Sequence, residues 1–173
     1  MTEILWHGRG GQGAFTAARL LGEAFSVKDN SYALAFPSFG PERRGAPIRA
    51  FTKLDDKPIG NRSEITKADY SIFLDDTLFS EQSLFELKEG GKVLLNTKKK
   101  FDNPRIIALD GNSIAQRLLG LPITNTIFLG VLAGVSEIVS IDEISLAITQ
   151  SMPQRLREKN IAVVRAAYEE VRK

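Results

Sequence analysis

The residues with the clearest chemical potential form a glycine-rich run, Gly8-Arg9-Gly10-Gly11-Gln12-Gly13. It fits G-x-G-x-x-G and lies between a strand-like segment, Glu3 to Trp6, and a helical one. Glycines reach positive φ and let a backbone approach a ligand closely. A helix starting at such a turn aims free N–H groups and the positive end of its dipole at it, which favours an anion. Arg9 adds a charged donor. Gly8, Arg9, Gly10, Gly11, Gln12 and Gly13 are therefore candidate binding residues. A dinucleotide site would also need a carboxylate about 20 residues further on, at the end of the second strand. Phe36-Pro37-Ser38-Phe39 stands there instead, and the next carboxylate, Glu42, falls in the following loop. That disfavours NAD. A tight turn without a ligand and a turn that holds a phosphate group both stay open.

The second constellation runs from Phe36 to Pro47 and contains Glu42-Arg43-Arg44 between prolines, glycines and two phenylalanines. Prolines stiffen the path and glycines permit sharp reversals. In a doubly wound sheet this loop would share a sheet edge with the glycine turn. Arg43 and Arg44 would then face an anion held there, or pair with carboxylates of a partner. An ordinary solvated loop with an internal Glu42–Arg pair is the alternative. Phe36 and Phe39 favour a contact surface, because aromatics beside arginine are typical of interfaces.

No reactive centre accompanies these motifs. Neither G-x-S-x-G nor G-x-x-x-x-G-K-[ST] occurs. Asp55-Asp56 and Asp75-Asp76 sit at expected strand ends and read as turn chemistry. His7, the one histidine, has no cysteine to work with and reads as packed beside Trp6. With zero cysteines, disulfides, thiolate zinc sites and cysteine-held iron–sulfur clusters are excluded from this polypeptide. Catalytic residues and metal ligands are therefore expected to be none.

Strand-like and helix-like segments must position the two motifs. Ala14, Ala17, Ala18, Leu21, Ala24 and Phe25 share a helical face. Ser31 to Phe36 reads as a strand. Ala46 to Leu54 alternates, which predicts a half-exposed antiparallel or edge strand. Tyr70 to Leu74, Lys92 to Asn96 and Arg105 to Leu109 read as further strands. Ser80 is placed to cap a helix that ends before Gly90-Gly91. Helices follow from Asp110 to Leu119, from Thr126 to Val139, and from Ser140, whose Glu143 completes a capping box, to about Met152. The last runs from Arg155 to Val171. Thr126 to Val139 is apolar nearly all round and reads as a buried or subunit-contact helix. The pattern predicts one domain over residues 1–173, a Rossmann-like three-layer α/β/α sandwich with a mostly parallel, mixed sheet.

Composition sets the outer limits. The chain has 173 residues, 43% hydrophobic and 25% charged, with a formal net charge of +2. That is ordinary for a soluble globular protein. The charge is dispersed, which argues against nucleic acid. Lys98-Lys99-Lys100 reads as a solvated turn before it reads as a patch for an acidic partner. No apolar run reaches the ~18 residues of a bilayer span, and no leader is visible at Met1-Thr2-Glu3. No membrane association and a cytoplasmic location are expected.

Trp6 to Ala14 followed by Thr16-Ala17-Ala18 resembles the start of the gamma subunit of pyruvate (2-oxoacid):ferredoxin oxidoreductases. Phe39 to Pro47, followed by Arg49-Ala50-Phe51, is similar to that family's second motif. Lys57-Pro58-Ile59, Arg62-Ser63, Asn125, the Leu129-Gly130 to Gly134 stretch and Lys159-Asn160 extend the resemblance over nearly the whole chain. It implies an assembly that converts a 2-oxoacid and coenzyme A to an acyl-CoA and carbon dioxide while reducing ferredoxin, as in anaerobic metabolism. It also implies that thiamine diphosphate and iron–sulfur clusters lie on alpha, beta and delta partner subunits. This chain would support assembly and help line the approach of coenzyme A, without turning over alone. The Arg43-Arg44-Gly45-Ala46-Pro47 form favours the pyruvate and branched-chain (2-oxoisovalerate) types. A stand-alone nucleotide-binding dehydrogenase is the competing reading from another class.

Overall fold

The central strand alternates as its sequence requires. In β1 (Thr2–Arg9) Ile4 and Trp6 enter one hydrophobic cluster, while Leu5 enters a second on the opposite side of the sheet. The computed structural model describes residues 1–38, 40 and 43–173. Among them β1 is followed by α1 (Ala14–Phe25), β2 (Tyr32–Pro37), β3 (Pro47–Asp55), β4 (Ala68–Phe73), β5 (Leu87–Asn96) and β6 (Ile106–Leu109). Four helices close the chain: α2 (Gly111–Leu119), α3 (Asn125–Val135), α4 (Ile141–Ser151) and α5 (Gln154–Val171). The sheet order is β2-β3-β1-β4-β5-β6. β4, β5 and β6 run parallel to β1, whereas β3 is antiparallel to both its neighbours. The expected α/β class and mixed sheet are therefore present.

The two faces of the sheet are covered differently. Residues from all five helices join Ile4, Trp6, Ile72 and Leu94 in one core. The indole N–H of Trp6 donates to Thr52 Oγ1 at 3.1 Å, and that hydroxyl donates to the Ala18 carbonyl at 2.9 Å. This ties α1 across two strands with no polar atom left over. The opposite layer is made of 3-10 helices and loop: Leu78, Phe79 and Leu84 pack on Phe73, Val93 and Leu95, and Ile65 packs with Leu5 and Phe51.

That second layer corrects two expectations. Ser80 does not cap an α-helix. It caps a 3-10 helix, Glu81–Glu86, and β5 starts at once at Leu87. The tight turns keep Leu84 and Leu87 on the sheet, and Gly90 at φ 74° with Gly91 lies in β5 where its register with β4 shifts. β3 is also neither an edge strand nor half-exposed. It is flanked by β1 and β2, and residues 50–54 are buried. Lys53, only 1% exposed, is held by the Asn61 carbonyl at 3.3 Å and Glu3 at 3.6 Å. Lys88 joins the same group, 3.0 Å from Glu3 and 2.8 Å from Asp69. Burial opposes the charge on Lys88, but Asp69 and Glu3 outweigh it and raise its pKa.

The apolar stretch after Asn125 is buried inside this chain from Asn125 to Ala133, as the first of its two readings expected, and its helix ends at Val135 rather than Val139. α3 packs on α5 with backbone against backbone at Gly130, where a Cβ would collide with the Val164 carbonyl oxygen. Thr126 Oγ1 donates to Asn160 Oδ1 at 2.8 Å across the same contact. The Ser140–Glu143 capping box starts α4 as expected, with bonds of 2.7 and 3.2 Å. Gly130→Ala should destabilise the chain by about 1–3 kcal/mol through overpacking. Urea unfolding checks this, and an unchanged midpoint would show that the two helices have slack.

Candidate functional site

The glycine turn and the arginine loop meet at one sheet edge. β1 and β2 run in the same direction with β3 between them, so both connections leave at the carboxyl ends of the strands. β1 runs on through Arg9, further than expected, and is followed by a bridge between Gly10 and Arg44. Gly10 N–H donates to the Ala46 carbonyl at 2.9 Å, and Gly45 N–H donates to the Gly10 carbonyl at 3.0 Å. A Cβ on Gly10 would strike the Arg43 carbonyl oxygen. The glycine at this position is there to admit a neighbouring backbone. Gly8 lies close to Ala14, 3.3 Å from where its Cβ would be, which lets α1 fold back on the strand.

Gly11 at φ 95° and Gly13 at φ 78° make the reversal, and Gly13 is the N-cap of α1. A side chain on Gly13 would sit 2.5 Å from Asn125 Nδ2, and that amide donates to the Gly13 carbonyl at 3.3 Å. Gln12 closes the turn internally. Its Oε1 accepts from Arg9 N–H at 2.7 Å, and its Nε2 donates to Asp75 Oδ2 at 3.1 Å.

Each guanidinium nitrogen of Arg9 has a partner within the chain. Its Nε lies 3.2 Å from Asp75 Oδ2, Nη1 donates to the Gly45 carbonyl at 3.0 Å, and Nη2 donates to Thr77 Oγ1 at 2.9 Å. Burial pushes the Asp75 carboxyl up. Bonds from the Thr77 hydroxyl and N–H, from Gln12, and the charge of Arg9 together outweigh burial and hold it below the usual carboxylate range. The chain thus supplies its own anion beside the turn. Arg43 and Arg44 differ from Arg9, for both side chains are exposed. Phe36 packs on Phe51 with ring centroids 5.1 Å apart. Phe39, Pro41 and Glu42 lie outside the described residues, and so does the alternative Glu42–Arg pair.

Reading the sequence did not single out Asp75 or Thr77 as partners of the turn. A signal exists: Asp75 follows β4, the strand parallel to β1, and carboxyl ends of adjacent parallel strands share an edge. The same edge holds a cleft of about 270 Å3 lined by Gln12, Asp75, Asp76, Asn96, Asn112 and Thr124. Asn96 is satisfied there, donating to the Leu74 carbonyl at 2.9 Å and accepting from Gly111 N–H at 3.0 Å.

His7 is packed, as its neighbours suggested. Its ring stacks on Phe73 with centroids 4.1 Å apart and planes 2° from parallel. Nε2 lies 3.1 Å from Glu86 Oε2, yet neither atom has a well-aligned hydrogen bond. The contact is close and bent, so its strength is mainly electrostatic. The close contact with His7 draws the Glu86 pKa down, against the effect of burial.

Comparison with known proteins places these features in a wider set. The family model described as pyruvate ferredoxin/flavodoxin oxidoreductase matches residues 3–170. The chain is 46% identical to pyruvate synthase subunit PorC of Methanothermobacter marburgensis, over 99% of this chain and 98% of that one. It is 43% identical to the pyruvate/ketoisovalerate oxidoreductases common subunit gamma of Thermococcus litoralis, covering 98% and 96%. The crystal structure of pyruvate oxidoreductase subunit PORC from Thermotoga maritima superposes with a TM-score of 0.82 at 34% identity, covering 97% and 95%.

The His7–Glu86 contact gives a pH test. A carboxyl whose folded pKa is lowered stabilises the fold above its unfolded pKa and loses that contribution as pH falls through the folded value. Glu86→Gln should therefore lower the urea midpoint near neutral pH, and the gap to the native chain should narrow as pH falls below the ordinary carboxylate range. A gap independent of pH would show that ionised Glu86 contributes nothing.

Proposed function

The chain belongs to the pyruvate ferredoxin/flavodoxin oxidoreductase family, and from that premise we propose how its carboxyl edge serves the enzyme. It is the gamma subunit of a 2-oxoacid:ferredoxin oxidoreductase of the pyruvate type. The enzyme takes a 2-oxoacid and coenzyme A to acyl-CoA and carbon dioxide and reduces ferredoxin. We assign thiamine diphosphate and the iron–sulfur clusters to the companion alpha, beta and delta subunits. When bound there, the first supplies the electron sink for decarboxylation and the second accepts the electrons. This chain has no cysteine to hold a cluster. Among the described residues no helix is long and apolar enough to cross a membrane. We place the enzyme in the cytoplasm.

The proposed role of this chain is assembly together with contact to the coenzyme A path. The observation that carries it is the contrast among three arginines on one edge. Arg9 is spent on Asp75, Thr77 and Gly45, whereas Arg43 and Arg44 stand exposed on a loop fixed to the glycine turn. Gly8, Gly10, Gly11, Gln12 and Gly13 are read as the frame that holds this loop in place. Arg43 and Arg44 are read as the groups that meet coenzyme A phosphates or partner carboxylates. Both fit such anions, as exposed guanidinium forks do.

Likeness to a gamma subunit whose name joins two oxidoreductases supports a second reading. In it the same chain serves a 2-oxoisovalerate enzyme as well, with the choice of oxoacid made by companion subunits.

In the assembled enzyme, Arg43→Ala combined with Arg44→Ala should raise KM for coenzyme A several-fold or weaken retention of this subunit on gel filtration. Unchanged KM and unchanged retention would reduce the loop to a structural element.

A further inference from the structure

The far edge of the sheet leaves a second surface open. β6 is the outer strand of the sheet, and its four residues, Ile106-Ile107-Ala108-Leu109, are all partly exposed. Its inner side is used: the Arg105 and Leu109 carbonyls accept from Val93 and Thr97 N–H at 2.7 and 3.0 Å. In a parallel ladder alternate residues point their backbone groups the same way. Ile106 and Ala108 therefore face outward. Ile106 N–H is taken by the Asn103 carbonyl at 2.9 Å. Among the described residues Ala108 N–H and C=O have no partner.

Edges are guarded against aggregation by short length, charge, proline, a bulge or a covering element. β6 is short, at four residues, but carries no charge, proline or bulge within Ile106–Leu109. Its charges stand to one side, on Lys98, Lys99 and Lys100, all exposed. A groove of about 420 Å3 runs between them and the strand, with Phe101, Ile106 and Ala108 among its lining. Lys98 has a distant contact, 3.8 Å from Asp110, and its side chain remains 78% exposed. A charged rim beside an apolar floor and an open ladder is the arrangement that receives an added strand.

We infer that β6 takes up an extended, carboxylate-bearing segment of another subunit of the same oxidoreductase. Its backbone pairs with Ala108 and its acidic side chains face Lys98–Lys100. The charge argues for this occupant over a second copy of the chain, since two copies joined at β6 would bring two lysine triplets together. It does not depend on the role proposed for Arg43 and Arg44, which lie on the loop between β2 and β3.

The test uses the assembled enzyme. Ala108→Pro removes the outward N–H, and proline is tolerated on an edge strand where that group faces solvent. A triple variant, Lys98→Glu, Lys99→Glu and Lys100→Glu, reverses the rim. Both chains should keep the native urea midpoint alone and join the complex at least tenfold less well than the native chain. Hydrogen exchange gives a readout without substitution: the Ala108 amide should exchange freely in the isolated chain and slow at least a hundredfold on assembly. An Ala108 amide that stays fast in the complex overturns strand addition, even if the glutamate variant binds poorly. Protection that appears in the isolated chain as its concentration rises assigns the edge to a second copy and overturns the proposed occupant.

Discussion

The Arg9–Asp75 ion pair is the contact on which the carboxyl edge depends. It joins the end of β1 to the turn after β4, and through the Gly45 carbonyl it reaches the loop that precedes β3. Three connections that are far apart in sequence are thereby fixed at one point. The pair is partly buried, with side chains 34% and 18% exposed, so its worth lies less in Coulomb energy than in geometry. A guanidinium offers several donors in a rigid fork, and here each arm has a different acceptor. Lysine could supply the charge at this position but not the simultaneous reach to Asp75, Thr77 and Gly45.

The same pair places a carboxylate beside a phosphate-type glycine turn. Helix N-termini favour anions. Asp75 provides one, through Gln12 and Arg9, from within the fold. Asp75 thereby offsets the charge of Arg9 within the fold, whereas Arg43 and Arg44 remain exposed. The glycines keep their structural necessity: Gly10 admits the backbone of the arginine loop, and Gly13 takes φ 78° against Asn125.

Much of this edge was legible in the sequence. The strand–turn–helix unit at the N-terminus followed from periodicity and from glycine spacing. So did the antiparallel direction of β3 and the capping box at Ser140. What could not be read was long-range pairing. The burial of Lys53 depends on Glu3 and Asn61, brought beside it only by the sheet register and the loop after β3. Alternation in β3 signalled one wet face, but ion pairing and Ile65 closed it. The failed helix after Ser80 has a similar cause. Its local cap signal was correct, and a capping box forms with Ser83, yet tertiary contacts of Leu84 and Leu87 with Phe73 cut the helix to one 3-10 segment. His7 was read as packed, while its partner Glu86 lies 79 residues away and leaves no local trace.

The unequal faces of the sheet decide where a companion protein can gain from contact. The helical face is sealed by residues from five helices, and its apolar helix α3 is already spent on α5. The carboxyl edge and the β6 edge are different, because each ends in backbone or charge that the fold leaves over. Both rest on strands whose backbones are held in the sheet, so little backbone freedom remains to be lost when a partner arrives. Association costs fall when the surface is ordered in advance. A chain with no visible reactive centre can still contribute to a reaction in this way, by holding charged and hydrogen-bonding groups at fixed positions for subunits that carry the chemistry.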